Sequence, residues 1–122
     1  MFVILLVLNI VLAIAFILSG GMKVVRPTAA LKTTGMVWVD DFTPASVKLI
    51  GAAEVIGGIG LILPFTTNIA AVLSPIAAVA LAIIMIGAVV VHVRRSEAFI
   101  PALVLAVLSI VSAVFGFLYL AR

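Results

Sequence analysis

Apolar residues fall into four runs along the chain, Phe2 to Met22, Ala45 to Leu63, Ile69 to Val93 and Phe99 to Leu120, and the stretches between them carry most of the charge. At about 1.5 Å per helical residue each run reaches roughly 28 to 37 Å, enough to cross a hydrocarbon core once. None alternates apolar with polar as a spanning strand would, and in lipid only a helix or a closed barrel satisfies its own backbone. The pattern therefore predicts an all-α fold: a transmembrane four-helix bundle in one domain over residues 1–122, with helices at about 2–22, 44–63, 69–93 and 97–120.

The boundaries carry local signals. Thr43-Pro44 sets a capping residue before a proline at the first helical position, and Ser96-Glu97 sets a cap before an acid that suits the helix dipole. Leu63-Pro64 predicts the end of the second helix, because the residue before a proline avoids the helical region. Ser74-Pro75 allows two readings: a third helix beginning at Pro75, or a kink inside a helix that begins at Ile69. The second leaves fewer backbone groups unsatisfied in lipid and is preferred. The short second and third connections make helices 2, 3 and 4 antiparallel neighbours. The first connection, Lys23 to Thr43, contains Pro27 followed by Gly35 and reads as a short interfacial helix between helices 1 and 2. Trp38 suits the membrane interface there, with Asp40 and Asp41 facing water.

Composition agrees with lipid as the main solvent: 67% of the 122 residues are hydrophobic and 9% charged, against about half and a quarter in ordinary soluble domains. A net charge of +3 could suggest nucleic acid, but the basic residues sit at the ends of apolar runs rather than on a water-facing stripe, so no nucleic-acid partner is expected. Arg26, Arg94 and Arg95 read with Trp38 as membrane-interface anchors. There is no cysteine, which removes disulfides, thiolate metal sites and thiol redox chemistry. Ala13-Ile14-Ala15 resembles a signal-cleavage site, yet Met1-Phe2-Val3-Ile4 lacks the basic start of a signal, so the first run is expected to stay as a membrane helix.

Lys23, Arg26, Lys32 and Lys48 flank the first connection and Arg94 and Arg95 the third, leaving only Arg122 at the other end. By the positive-inside rule, connections 23–43 and 94–98 face the cytoplasm and both termini lie outside a cell membrane. Small residues in the later runs mark packing seams: Gly51, Ala53, Gly57, Gly58 and Gly60, then Ala70, Ser74, Ala78 and Ala82, then Ala102, Ala106, Ser109, Ala113 and Gly116. The Gly57 to Gly60 stretch lacks the strand and Lys of a nucleotide loop.

Glu54 stands out, because it lies about ten residues inside the second helix, a depth of roughly 12 to 15 Å. A carboxylate there must face the bundle interior and find a partner or stay protonated. Lys23 and His92, at helix ends on the same side, are its candidate partners, with Lys48 less favoured because it lies six residues away on its own helix. The bland alternative is a polar contact that only fixes packing. Asn9, nearer the opposite face, should bond another helix instead. A single histidine without cysteine supplies no metal centre, and nothing here pairs a nucleophile with a base or forms a cofactor fingerprint. The chain is expected to be no enzyme by itself, with no cofactor and no metal site.

The order Phe16-Ile17-Leu18-Ser19-Gly20 with Lys23, Gly51-Ala52-Ala53-Glu54-Val55-Ile56-Gly57, Leu63-Pro64, and Met85-Ile86-Gly87-Ala88 followed by His92 resembles the DoxX-like family of small membrane proteins. The resemblance implies a four-helix bundle in the cytoplasmic membrane and, through some relatives, an association with quinone-linked oxidases or thiosulfate oxidation. It directs attention to Lys23, Glu54 and His92 as a polar cluster. The leading expectation is a non-catalytic membrane subunit or small quinone-like lipophile-binding module beside a redox partner. Its surroundings would be the lipid bilayer, a membrane-protein partner or a second copy, and a quinone or lipid ligand. The alternatives are a small proton-coupled transporter working as a dimer through Glu54, and a purely structural subunit.

Overall fold

The computed structural model describes residues Met1–Arg122, and all of its regular elements are helices. They are α1 (Phe2–Val25), α2 (Thr28–Thr33), a 3₁₀ turn (Val37–Asp41), α3 (Pro44–Thr67), α4 (Leu73–Arg94) and α5 (Ile100–Ala121). The four long helices, α1, α3, α4 and α5, are each long and apolar enough to cross a membrane. Contacts join α1 to α3, α3 to α4, α4 to α5 and α5 back to α1, closing a ring. Consecutive long helices run in opposite directions, so both termini share one end and the two basic connections share the other.

Only 28 of 122 residues are buried, and residues such as Ile4 (73% exposed) and Ile56 (70% exposed) point outward. A helix apolar on every face needs an apolar solvent. The chain is a multi-pass membrane protein. Its interior joins Leu12 and Phe16 of α1, Leu61 of α3, Leu81 and Met85 of α4, and Ala106 and Ala113 of α5. A smaller cluster, Leu31, Val39 and Val47, ties the first connection onto the end of the bundle.

That connection folds as its punctuation suggests. Pro27 precedes the short helix, and Gly35, at φ 102°, takes the left-handed conformation that ends it. Thr43 caps α3 by accepting the amide of Ser46 at 3.1 Å, with Pro44 at the first position.

Several boundaries depart from the sequence expectation. The first helix continues one turn beyond Met22, to Val25. The second does not stop at Leu63: α3 passes through Pro64 to Thr67. Proline cannot donate to the carbonyl of Gly60, and tertiary donors gather at the next carbonyl, where Leu61 O accepts the Ser74 hydroxyl at 2.9 Å and the Asn9 amide at 3.4 Å.

The third helix starts neither at Ile69 with a kink nor at Pro75, but at Leu73, which puts Pro75 in its first turn. A missing N–H is harmless there, since the first helical donors have no partner within the helix. The preceding turn supplies the acceptors, with Leu73 N bonded to Ala70 O at 2.9 Å and Ser74 N to Ala71 O at 3.1 Å. Ala70 therefore lies in this turn, exposed, rather than on the buried seam of Ser74, Ala78 and Ala82. The fourth helix begins at Ile100 rather than Glu97, with Pro101 in its first turn. Ser96, at φ 55°, closes the preceding turn, and the Glu97 carboxylate turns back toward α4.

Candidate functional site

Two glycines set the geometry of the site. Where α1 crosses α3, a Cβ on Gly51 would lie 2.6 Å from the Gly20 carbonyl oxygen and 2.6 Å from the Cβ of Lys23, and a Cβ on Gly20 would collide with the Gly51 carbonyl. The two backbones touch, as small residues permit in a membrane. One turn beyond each glycine stand Lys23 and Glu54, whose Nζ and Oε1 form a salt bridge with both side chains buried. The extra turn of α1 explains why Lys23, expected near a helix end, is only 6% exposed.

Lys23 also donates to the Ser19 hydroxyl at 2.9 Å and lies 5.5 Å from the centre of the Trp38 ring. An ammonium has three donors, so with Glu54 and Ser19 served, one N–H remains. Lys23, Ser19 and Glu54 line one wall of a cavity of about 820 Å³. Ile83, Met85, Ala88 and His92 of α4 and Ala102 and Leu105 of α5 form the opposite walls, and Met36, Trp38 and Phe42 of the folded-back connection cover it. Trp38 packs edge-on against Phe42, with ring centres 5.6 Å apart.

Of the two candidate partners for Glu54, only Lys23 bonds it. His92 shares the cavity wall, but its Nδ1 lies 3.0 Å from Glu97 Oε1. Arg95 Nε donates to Glu97 Oε2 at 3.1 Å, and Arg95 Nη1 reaches Asp41 Oδ1 at 2.8 Å. The chain Asp41–Arg95–Glu97–His92 thus fastens the first connection to the third, and its last member, His92, also lines the cavity. Its electrostatics agree: the His92 hydrogen bond, then Arg95, holds the Glu97 carboxyl below its usual range, and Asp41, then Glu97, raises the Arg95 guanidinium. Arg95 is therefore a bridging residue as well as an end-of-helix cation. Arg26 and Arg94 are exposed at the ends of α1 and α4. Lys48 donates to the Val24 carbonyl at 2.8 Å and does not meet Glu54.

A second polar cluster lies toward the other end. Ser112 donates to Asn9 Oδ1 at 2.5 Å, and the Asn9 amide reaches Ser74 and Leu61 O at 3.4 Å each. As expected, Asn9 bonds other helices rather than Glu54. Ser112, Ser19, Asp41 and the true role of Glu97 were missed from the sequence. Only Ser19 had a local signal, standing one helical turn before Lys23.

No curated protein and no solved structure matches the chain. A family model does, that of the DoxX-like family, and it covers residues 7–115. With that match spanning nearly the whole bundle, including Lys23, Glu54 and His92, the chain belongs to the DoxX-like family.

Proposed function

We propose that this protein is a non-catalytic membrane subunit that holds a small, neutral, quinone-like lipophile in the cavity beside Lys23 and Glu54 and works next to a redox partner. The observation that carries this reading is a cavity of about 820 Å³ whose walls are mostly apolar but include one buried ion pair. That size falls within the usual range for small-molecule sites, and the mixture of apolar lining with few polar groups is characteristic of them.

Electrostatics narrow the ligand. The charges of Lys23 and Glu54 offset each other, so a ligand with net charge would enter a low-dielectric site without a counter-charge. A carbonyl can accept the remaining Lys23 N–H while a flat ring lies between Trp38 and the apolar wall. The same pairing counts against proton-coupled exchange of a cation, because Glu54 already has its cation. With no cysteine and one histidine, the chain offers few groups to anchor a redox centre, so electrons for a bound quinone are assigned to a partner. The basic end is taken to face the cytoplasm of a cell membrane, with Arg26, Arg94 and Trp38 near the headgroups.

Trp38 is the only tryptophan and lines the cavity, so its fluorescence reports occupancy. Titration of the purified protein with a tailless benzoquinone should quench Trp38 saturably. Gly87 lines the cavity, and a Cβ there meets nothing within 4 Å, so Gly87→Leu should fold normally and weaken the quenching. Linear, unsaturable quenching equal in both proteins would sink the reading. Mild-detergent purification that never retains a redox protein would remove the partner.

A further inference from the structure

A second hollow lies beside the cavity. Between α4 and α5 runs a groove of about 280 Å³ whose lining is entirely hydrophobic, with Ala82 and Ala113 at its floor and Val79, Ile110, Val114 and Phe117 along its rims. Small residues at the seam keep the floor low, while branched and aromatic neighbours build the sides. Ile83 belongs to the walls of both the groove and the cavity, and it is 64% exposed. The two hollows therefore adjoin at Ile83, which they share as a wall on the lipid-facing side of the bundle.

Resting on the cavity reading above, we infer that the groove holds the hydrocarbon tail of the molecule whose head sits beside Lys23. The ligand class is thus a tailed amphiphile: a neutral ring or carbonyl head carrying one long, unbranched or isoprenoid chain. From His92 to Val79 the two linings together cover about 20 Å of α4 at 1.5 Å per residue, too long for a bare ring and suited to a ring with a tail. The adjacency of the two hollows at the exposed Ile83, over which a tail can pass, is what selects this occupant over a loose bilayer lipid, which has no head in the cavity. Lipid already solvates a free tail, so the groove gains through shape-matched contacts rather than through removal of tail from water. The preference for a tail should accordingly be modest, and it should be visible only at equal ligand mole fraction in the bilayer.

The test uses the full chain in nanodiscs and a series of benzoquinones with no tail, a short alkyl tail and a ten-carbon tail, read by Trp38 quenching at fixed membrane mole fraction. The ten-carbon member should bind about fivefold or more tightly than the tailless one, the scale that summed dispersion contacts can supply. Val79 and Val114 face outward (41% and 50% exposed) and do not line the cavity, so Val79→Phe with Val114→Phe fills the groove alone. That variant should bind the tailless quinone as the native chain does and lose the preference for a tail. An equal preference in both proteins would overturn the inference and leave the groove to bilayer lipid. So would the absence of any preference in the native chain, or a native dimer that the double variant dissociates. Saturable binding without a length preference would overturn the groove alone, whereas no saturable quenching by any member would overturn the cavity reading with it.

Discussion

Lys23 and Glu54 meet because Gly20 and Gly51, three residues before each, bring the backbones of α1 and α3 into contact. The ion pair and the glycine crossing form one unit: the crossing removes the pair from lipid, and the pair neutralises the one acid deep in α3. Substituting Gly51 by Ala places a methyl against the Gly20 carbonyl, where backbone rather than a flexible side chain must yield. We expect Gly51→Ala to cost about 1 to 3 kcal/mol, the usual range for overpacking a tight contact. Gly21→Ala is the control, since a Cβ there meets nothing within 4 Å. Thermal unfolding in mild detergent separates the two, and equal stability of both variants would contradict the crossing.

Removing one partner of a buried pair costs more than removing both, because the survivor keeps an uncompensated charge. Lys23→Met or Glu54→Leu alone should destabilise the bundle by about 3 kcal/mol or more, and the double variant should be more stable than either single one. Denaturant titration of the four proteins completes the cycle. Additive losses would mean that the two side chains do not interact.

The sequence made the four helices legible because lipid imposes one length and one backbone solution on every apolar run. It also made Lys23 legible as a partner for Glu54, since a deep carboxylate must be matched by something. What stayed hidden depends on neighbours far along the chain. Pro64 reads as a stop because a local rule applies to Leu63; α3 nevertheless continues to Thr67, with Ser74 and Asn9, distant in sequence, bonding the Leu61 carbonyl one residue from the acceptor that Pro64 cannot serve. Trp38 looked like an interfacial anchor, and only the fold of the first connection over the bundle end shows that it also lines the cavity. Glu97 looked like a helix start, whereas its partners His92 and Arg95 lie behind it at the end of α4.

The Asn9 cluster makes its own prediction. Asn9 joins α1 to α3, α4 and α5 through Leu61 O, Ser74 and Ser112. Interhelical hydrogen bonds in membranes are worth about 0.6 kcal/mol on average and up to about 2 kcal/mol. Asn9→Leu removes several at once and strands the Ser112 hydroxyl, so a loss of about 1 to 3 kcal/mol is expected. Ser112→Ala should cost less, as Asn9 keeps its other two contacts. Unfolding in detergent orders these variants, and the reverse order would show that Asn9 is not the hub.

The Asp41–Arg95–Glu97–His92 bridge ties its strength to pH. The folded Glu97 carboxyl titrates below its ordinary range because His92 and Arg95 favour its charged form. A depressed carboxyl contributes stability that is complete above its unfolded pKa, about 4.3, and is lost as pH falls through the lower folded value. Arg95, raised further by Asp41 and Glu97, stays charged throughout. The contribution of the Glu97 carboxylate to the bridge should therefore be complete from pH 7 to about 5 and be lost only below about 4. Acrylamide quenching of Trp38 reads this directly: accessibility should stay flat, then rise in acid. Arg95→Ala, which cuts both the Asp41 and the Glu97 links, should raise accessibility already at neutral pH. A variant as protected as the native chain would mean that the cover is held by the Leu31, Val39 and Val47 cluster rather than by charge.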